Sequence, residues 1–88
     1  MKMARRKILD EREKTHGDFS ETAEIAQGLK YIIDENSEKV SSQAQREALE
    51  MICTKIARIL AGNAKEADHW KDIAGYAELG MEACTINQ

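Results

Sequence analysis

Ser42-Gln43-Ala44-Gln45-Arg46-Glu47-Ala48-Leu49-Glu50-Met51-Ile52-Cys53-Thr54-Lys55-Ile56-Ala57-Arg58-Ile59-Leu60-Ala61 decides the fold. At ~100° per residue, Ala48, Leu49, Ile52, Ile56, Ile59 and Leu60 fall within an arc of roughly 120°, which is the stripe of an amphipathic helix. Ser42 followed three residues later by Gln45 has the spacing of a capping box, and Gly62-Asn63 supplies a stop. A strand would alternate with period two, and nothing in this run does.

The same period recurs on either side. A first helix is expected from about Ala4 to Lys14, with Ala4, Ile8 and Leu9 inward. Thr15-His16-Gly17-Asp18 breaks it, since Gly17 accepts a left-handed turn and Asp18 or Ser20 can cap the next helix. This second helix spans about Phe19 to Asp34, with Phe19, Thr22, Ala26, Leu29 and Ile33 inward and Ile25 and Ile32 flanking. Glu35 to Val40 is a polar connection. A fourth helix runs from about Ala64 to Ala83, capped by Asn63 with Glu66. Its expected buried face is Trp70, Ile73, Ala74, Ala77 and Met81. Gly75 inside it costs about 1 kcal/mol relative to Ala, and close helix packing is the expected reason. Proline is absent. The chain therefore reads as all-α, a single helical domain over 1–88 and a compact antiparallel bundle of about four helices.

Bulk composition narrows the function classes. Eighty-eight residues with 5% aromatics make a thin core, so completion of that core by a homo-oligomer is expected. Net charge is −3, which offers no general field for duplex nucleic acid. Lys2, Arg5, Arg6 and Lys7 form a short basic cluster that suits phosphate contact or plain solvation. Cys53 and Cys84 are too few for a disulfide scaffold or a zinc site and read as small buried or half-buried thiols. No stretch reaches transmembrane length and no apolar signal region is seen, so a cytoplasmic protein with no membrane partner is expected.

Three places carry chemistry-bearing residues. On the third helix, Glu47, Glu50, Thr54 and Arg58 lie within about 80° of one another. Glu47 and Glu50, at i and i+3, suit a shared divalent cation, and Arg58 suits a phosphate. The same face also reads as a solvated surface of Glu–Arg pairs. His16 sits in a glycine-containing turn after Arg12, beside a helix start, which suits an anion or a capping turn whose imidazole packs on a neighbour. On the fourth helix, His69, Asp72 and Tyr76 share one stripe, either a satisfied hydrogen-bonded set or half of a pocket. Trp70 is core or a stacking face for a base.

The run Glu11-Arg12-x-x-Thr15-His16-Gly17-Asp18-Phe19 resembles the start of a group of small phage and prophage proteins of unassigned function. The run Gln45-Arg46-Glu47-Ala48-Leu49-x-Met51-x-x-Thr54-Lys55-Ile56-Ala57-Arg58-Ile59 resembles their middle. Asp68-His69-Trp70-x-Asp72-Ile73-Ala74-Gly75-Tyr76-Ala77 resembles their last helix. That group is distantly similar to MazG-like all-α nucleotide pyrophosphatases, which hold Mg²⁺ with E-x-x-E on one helix and E-x-x-D on a later one. The resemblance implies Glu47, Glu50 and Asp72 as metal ligands. His69 stands where the second Glu of that pattern belongs, and imidazole in place of a carboxylate weakens a Mg²⁺ site.

The leading expectation is a small phage-type protein that binds, and sequesters, a nucleotide or other phosphorylated ligand such as a host-defence signal. Arg12, His16, Lys55 and Arg58 would meet phosphates beside His69, and Tyr76 or Trp70 would meet a base, in a pocket between the polar face of the third helix and the His69–Tyr76 stripe, within one chain or across a subunit interface. One alternative is a Mg²⁺-dependent pyrophosphohydrolase acting in the host cytoplasm. The other is a helical interaction module acting on a host protein.

Overall fold

In a computed structural model the chain forms four α-helices. The structure describes the backbone of residues 2–86 and the side chains of 7–85. The helices are α1 (Lys2–His16), α2 (Phe19–Glu35), α3 (Gln43–Ala61) and α4 (Ala67–Ile86). The side chains of Lys2, Arg5 and Arg6, three members of the basic cluster, lie outside the described residues.

Local chemistry sets the helix ends. Asp18 is extended at the α2 N-cap and accepts from the Glu21 N–H, and Ser42 does the same for Gln45 at α3. Gly17 has φ +82°, the left-handed conformation that closes α1 in a two-residue turn. The expected cap of the last helix is corrected. Asn63 Oδ1 accepts from Lys65 N–H within a turn, and α4 starts at Ala67. A short Asx turn here uses the side chain before the helix can.

α3 is the hub. It packs most extensively on α4, then on α2, whereas α1 touches α2 and α3 only sparsely. Both large pairings are antiparallel: Gln45 near the start of α3 reaches the Gly80 carbonyl late in α4, while Lys55 pairs with Asp72 early in α4. Arg46 joins Asp34 across the α2–α3 connection at 2.7 Å.

Because α3 has neighbours on two sides, its buried residues wrap beyond the single expected arc. Ala48, Cys53, Lys55 and Ala57 are buried, whereas Leu49 and Leu60 are exposed. Three other expected faces are also corrected. On α1, Ile8 and Leu9 are exposed rather than inward, because α1 packs only sparsely on its neighbours, and the side chain of Ala4 lies outside the described residues. On α2, Thr22 and Ala26 are buried but Phe19 is 82% exposed and Ile32 is exposed too. On α4 the polar stripe turns inward, with His69 2% exposed and Tyr76 half-buried, while Trp70, Ala74, Ala77 and Met81 face out. Cys84 is exposed rather than covered, and no side chain approaches Gly75 within 4 Å.

The core is consequently built of small residues: Ala26, Ala48, Cys53, Ala57 and Ala83. The shape is elongated rather than compact, 51 × 26 × 24 Å with a radius of gyration of 15.2 Å. A self-contained domain of this length has about 12 Å. The chain exposes 6866 Å², against about 5,200 Å² for a folded monomer of its mass.

Candidate phosphate-binding site

Two turns meet backbone to backbone at one end of the molecule. A Cβ on Gly17 would strike the Ala61 carbonyl, and one on Gly62 would strike the Thr15 carbonyl oxygen. Only glycine allows the α1–α2 turn to sit this close to the α3–α4 turn. The Thr15 carbonyl accepts from Asn63 N–H at 3.2 Å and from His69 Nε2 at 2.7 Å. A carbonyl only accepts, so His69 carries its proton on Nε2. The next carbonyl, that of His16, accepts from the Thr22 hydroxyl at 2.8 Å. These bonds fix the direction in which the His16 ring leaves the turn.

His16 is held twice more. Its Nδ1 lies 2.7 Å from the Thr15 hydroxyl, and its ring meets that of His69 edge to face with centroids 5.2 Å apart. Among the described residues no hydrogen bond engages its Nε2. Partial burial comes first in holding His16 below its usual pKa of 6.5, followed by Arg58, then His69, Arg12 and Lys55. Burial first, and the neighbouring positive charge second, thus disfavour the charged ring.

His16 and Arg58 form a ridge between two depressions. The larger, of about 620 Å³, runs between α1, α2 and α3. It is lined by Arg12, His16, Lys30 and Arg58 and by the apolar side chains of Leu9, Phe19, Ala23 and Ala26. Glu13 is its one carboxylate among the lining residues. Among the described residues neither Arg12 nor Arg58 is paired with a carboxylate. The smaller depression, of about 290 Å³, collects Lys55, Arg58 and His69 but also Glu66, Asp68 and Asp72. Three carboxylates there oppose an anion, and the Lys55 ammonium is already engaged by Asp72 at 3.1 Å.

The residues expected at the site thus separate into groups. Arg12, His16, Lys55, Arg58 and His69 come together, with His69 acting through the Thr15 carbonyl from a buried position. Tyr76 and Trp70 line neither depression, and the Trp70 indole N–H is committed to the Ala64 carbonyl at 2.8 Å. Phe19, Leu9 and Lys30 were not expected in the site. Phe19 opens α2 beside His16, and its place in an apolar period concealed that nothing covers it.

The carboxylate set implied by the pyrophosphatase resemblance does not fit Mg²⁺. Glu50 is bound by Arg46 at 2.9 Å, Asp72 by Lys55, and Glu47 is exposed. Among the described residues no group of three His, Cys, Asp or Glu side chains is placed to hold a metal ion. The reason is helical: Lys55 lies five residues beyond Glu50, about 140° around α3, so Glu50 and the partner of Lys55 belong to different faces. Among the described residues, no helix is long and apolar enough to cross a membrane.

A family described as a domain of unknown function, DUF6378, matches residues 1–84. Comparison with curated proteins and with solved structures finds no match.

Proposed function

The chain belongs to the DUF6378 family, and we propose that it binds a nucleotide or a similar phosphorylated ligand in the cleft between α1, α2 and α3. The observation that carries this reading is the meeting of guanidinium groups and open apolar side chains in the lining of one cleft. Arg12 and Arg58 offer charge and hydrogen-bond donors to a phosphoryl group, and His16 joins them as a donor when a bound anion draws a proton to its ring. Leu9 and the open ring of Phe19 offer an apolar surface to a flat base. Guanidinium groups without a carboxylate partner suit a dianion, which neutralises their mutual repulsion.

The reading is binding without turnover. Hydrolysis of a phosphoanhydride needs an activated water, and Glu47, Glu50 and Asp72 do not assemble to hold a metal for it. Sequestration of a nucleotide fits this chemistry better than its consumption.

Calorimetry with a panel of linear and cyclic nucleotides tests the proposal. A member of the panel is expected to bind at micromolar concentration or tighter, and Arg58→Ala is expected to weaken it at least tenfold. No heat with any member, or an unchanged affinity in Arg58→Ala, overturns it.

A further inference from the structure

We infer that the outward face of α4 is the interface with a second copy of this chain, packed antiparallel as a two-helix seam. The observation is a heptad pattern that the fold leaves uncovered. Ala67, Trp70, Ala74, Ala77, Met81 and Cys84 succeed one another at alternating steps of three and four, the spacing of a coiled-coil seam. All six are exposed, and they span about 100° of the helix circumference, with Cys84 at the edge, where its thiol also accepts from Gln45 Nε2 of α3 at 3.1 Å. His69, Tyr76 and Ala83 turn the opposite way, into the protein. One helix thus carries two apolar faces, and the chain itself covers one.

Trp70 is prepared for such a contact. Its N–H is fixed on the Ala64 carbonyl at 2.8 Å, yet the residue is 55% exposed. A ring held in place with its face open makes a rigid anchor, because little side-chain freedom is left to lose on association. Ala74 and Ala77 at the middle of the stripe let two helices approach closely.

The pattern selects a second copy, in antiparallel register. Setting Trp70 against the second copy's Met81 also sets Ala74 against its Ala77 and Ala67 against its Cys84. Each seam position of one chain then meets a seam position of the other, as a twofold axis requires. In the same register Lys71, at the edge of the seam, falls between the second copy's Glu78 and Glu82, and the reverse pair forms by symmetry. A parallel pairing in register would place Met81 beside Met81 and Cys84 beside Cys84, and would put Lys71 of one chain and Glu78 of the other on opposite flanks of the seam.

The test is sedimentation at micromolar concentration, with a cross-link to set the register. Wild-type protein is expected at twice the 9.9 kDa chain mass or above, and Ala77→Glu is expected to lower that mass while leaving the helical circular dichroism unchanged. Under mild oxidation Ala67→Cys is expected to give a covalent dimer through Cys84 of the other chain, lost in Ala67→Cys/Cys84→Ser. The two positions lie about 25 Å apart along one helix, so the bond cannot form within a chain. A monomeric wild type, an assembly untouched by Ala77→Glu, or a Cys84–Cys84 dimer in place of the mixed one overturns the inference. The cross-link decides the matter even where Ala77→Glu fails to fold.

Discussion

The imidazole of His69 donates from Nε2 to the carbonyl oxygen of Thr15 at 2.7 Å, bridging α4 to the end of α1 across 54 positions of sequence. That carbonyl also accepts from Asn63 N–H, so one backbone oxygen ties the two turns together. His69 is 2% exposed. His69→Ala removes the bond and leaves a void, at an expected cost of about 2 kcal/mol. For a domain of this size that lowers Tm by roughly 8–16 °C. Thermal unfolding of His69→Ala and His69→Gln checks this. Gln can still donate an N–H, so it is expected to recover part of the loss, and equal losses in both would show that the bond contributes little.

Helix number, type and most ends were legible in the sequence, because period and caps are local: Asp18 and Ser42 cap α2 and α3 from within their own turns. The inward faces were less legible. Ala74 and Ala77 keep a helical apolar period whether a neighbour exists or not, and the period does not say which of two stripes on α4 the rest of the chain covers. His69 illustrates the difficulty from the other side. A histidine among apolar residues reads as a ligand until a carbonyl far away in sequence is seen to accept from it. Arg12, His16, Lys55 and Arg58 were each legible as anion-seeking side chains, but that they lie near one another depends on how the α1–α2 turn meets α3. The Lys55–Asp72 pair, which removes Asp72 from any carboxylate set, depends on the register between α3 and α4 and has no local signature.

Protonation of His16 should work in opposite directions in the free and ligand-bound protein. Burial and the neighbouring Arg58, His69, Arg12 and Lys55 lower its pKa in the folded state. The unfolded chain then binds more protons near and below pH 6.5, so this residue's contribution to stability is present above that pH and lost as pH falls through the folded pKa. A bound phosphate reverses the local field and favours imidazolium, so phosphoryl-ligand affinity should rise as pH falls from 7.5 to 6. Denaturant unfolding and calorimetry across this range, compared in wild type and His16→Gln, check both signs. A pH dependence of affinity that persists undiminished in His16→Gln would assign it to another group.

Asp72 separates binding from metal-assisted hydrolysis. Its carboxylate pairs with the Lys55 ammonium, whose side chain is only 11% exposed while that of Asp72 is 45% exposed. Asp72→Asn leaves a mostly buried cation without its counter-charge, and partial solvent access limits the expected loss of stability to about 1–2 kcal/mol. The freed ammonium lies in the depression that shares His16 and Arg58 with the larger cleft, so affinity for a phosphorylated ligand should hold or rise. Measured binding that disappears in a folded Asp72→Asn protein would instead give Asp72 a direct part in holding the ligand.

Phe19 distinguishes a nucleotide from phosphate alone. It is 82% exposed and begins α2 on the wall of the larger cleft, a turn away from His16. Truncating so open a ring removes little buried area, so Phe19→Ala should leave Tm within about 2–4 °C of wild type, the shift that a surface change of up to 0.5 kcal/mol gives in a domain this small. Stacking of a base on an aromatic ring contributes about 1–3 kcal/mol by alanine substitution, which corresponds to a roughly 5- to 150-fold loss in affinity for a nucleotide. Inorganic phosphate, which has nothing to stack, should bind the variant as it binds wild type. Titrating both ligands into both proteins reads the base and phosphate contacts separately. Equal weakening of nucleotide and phosphate would mean that Phe19 shapes the phosphate contacts, and no weakening of either would place the base elsewhere.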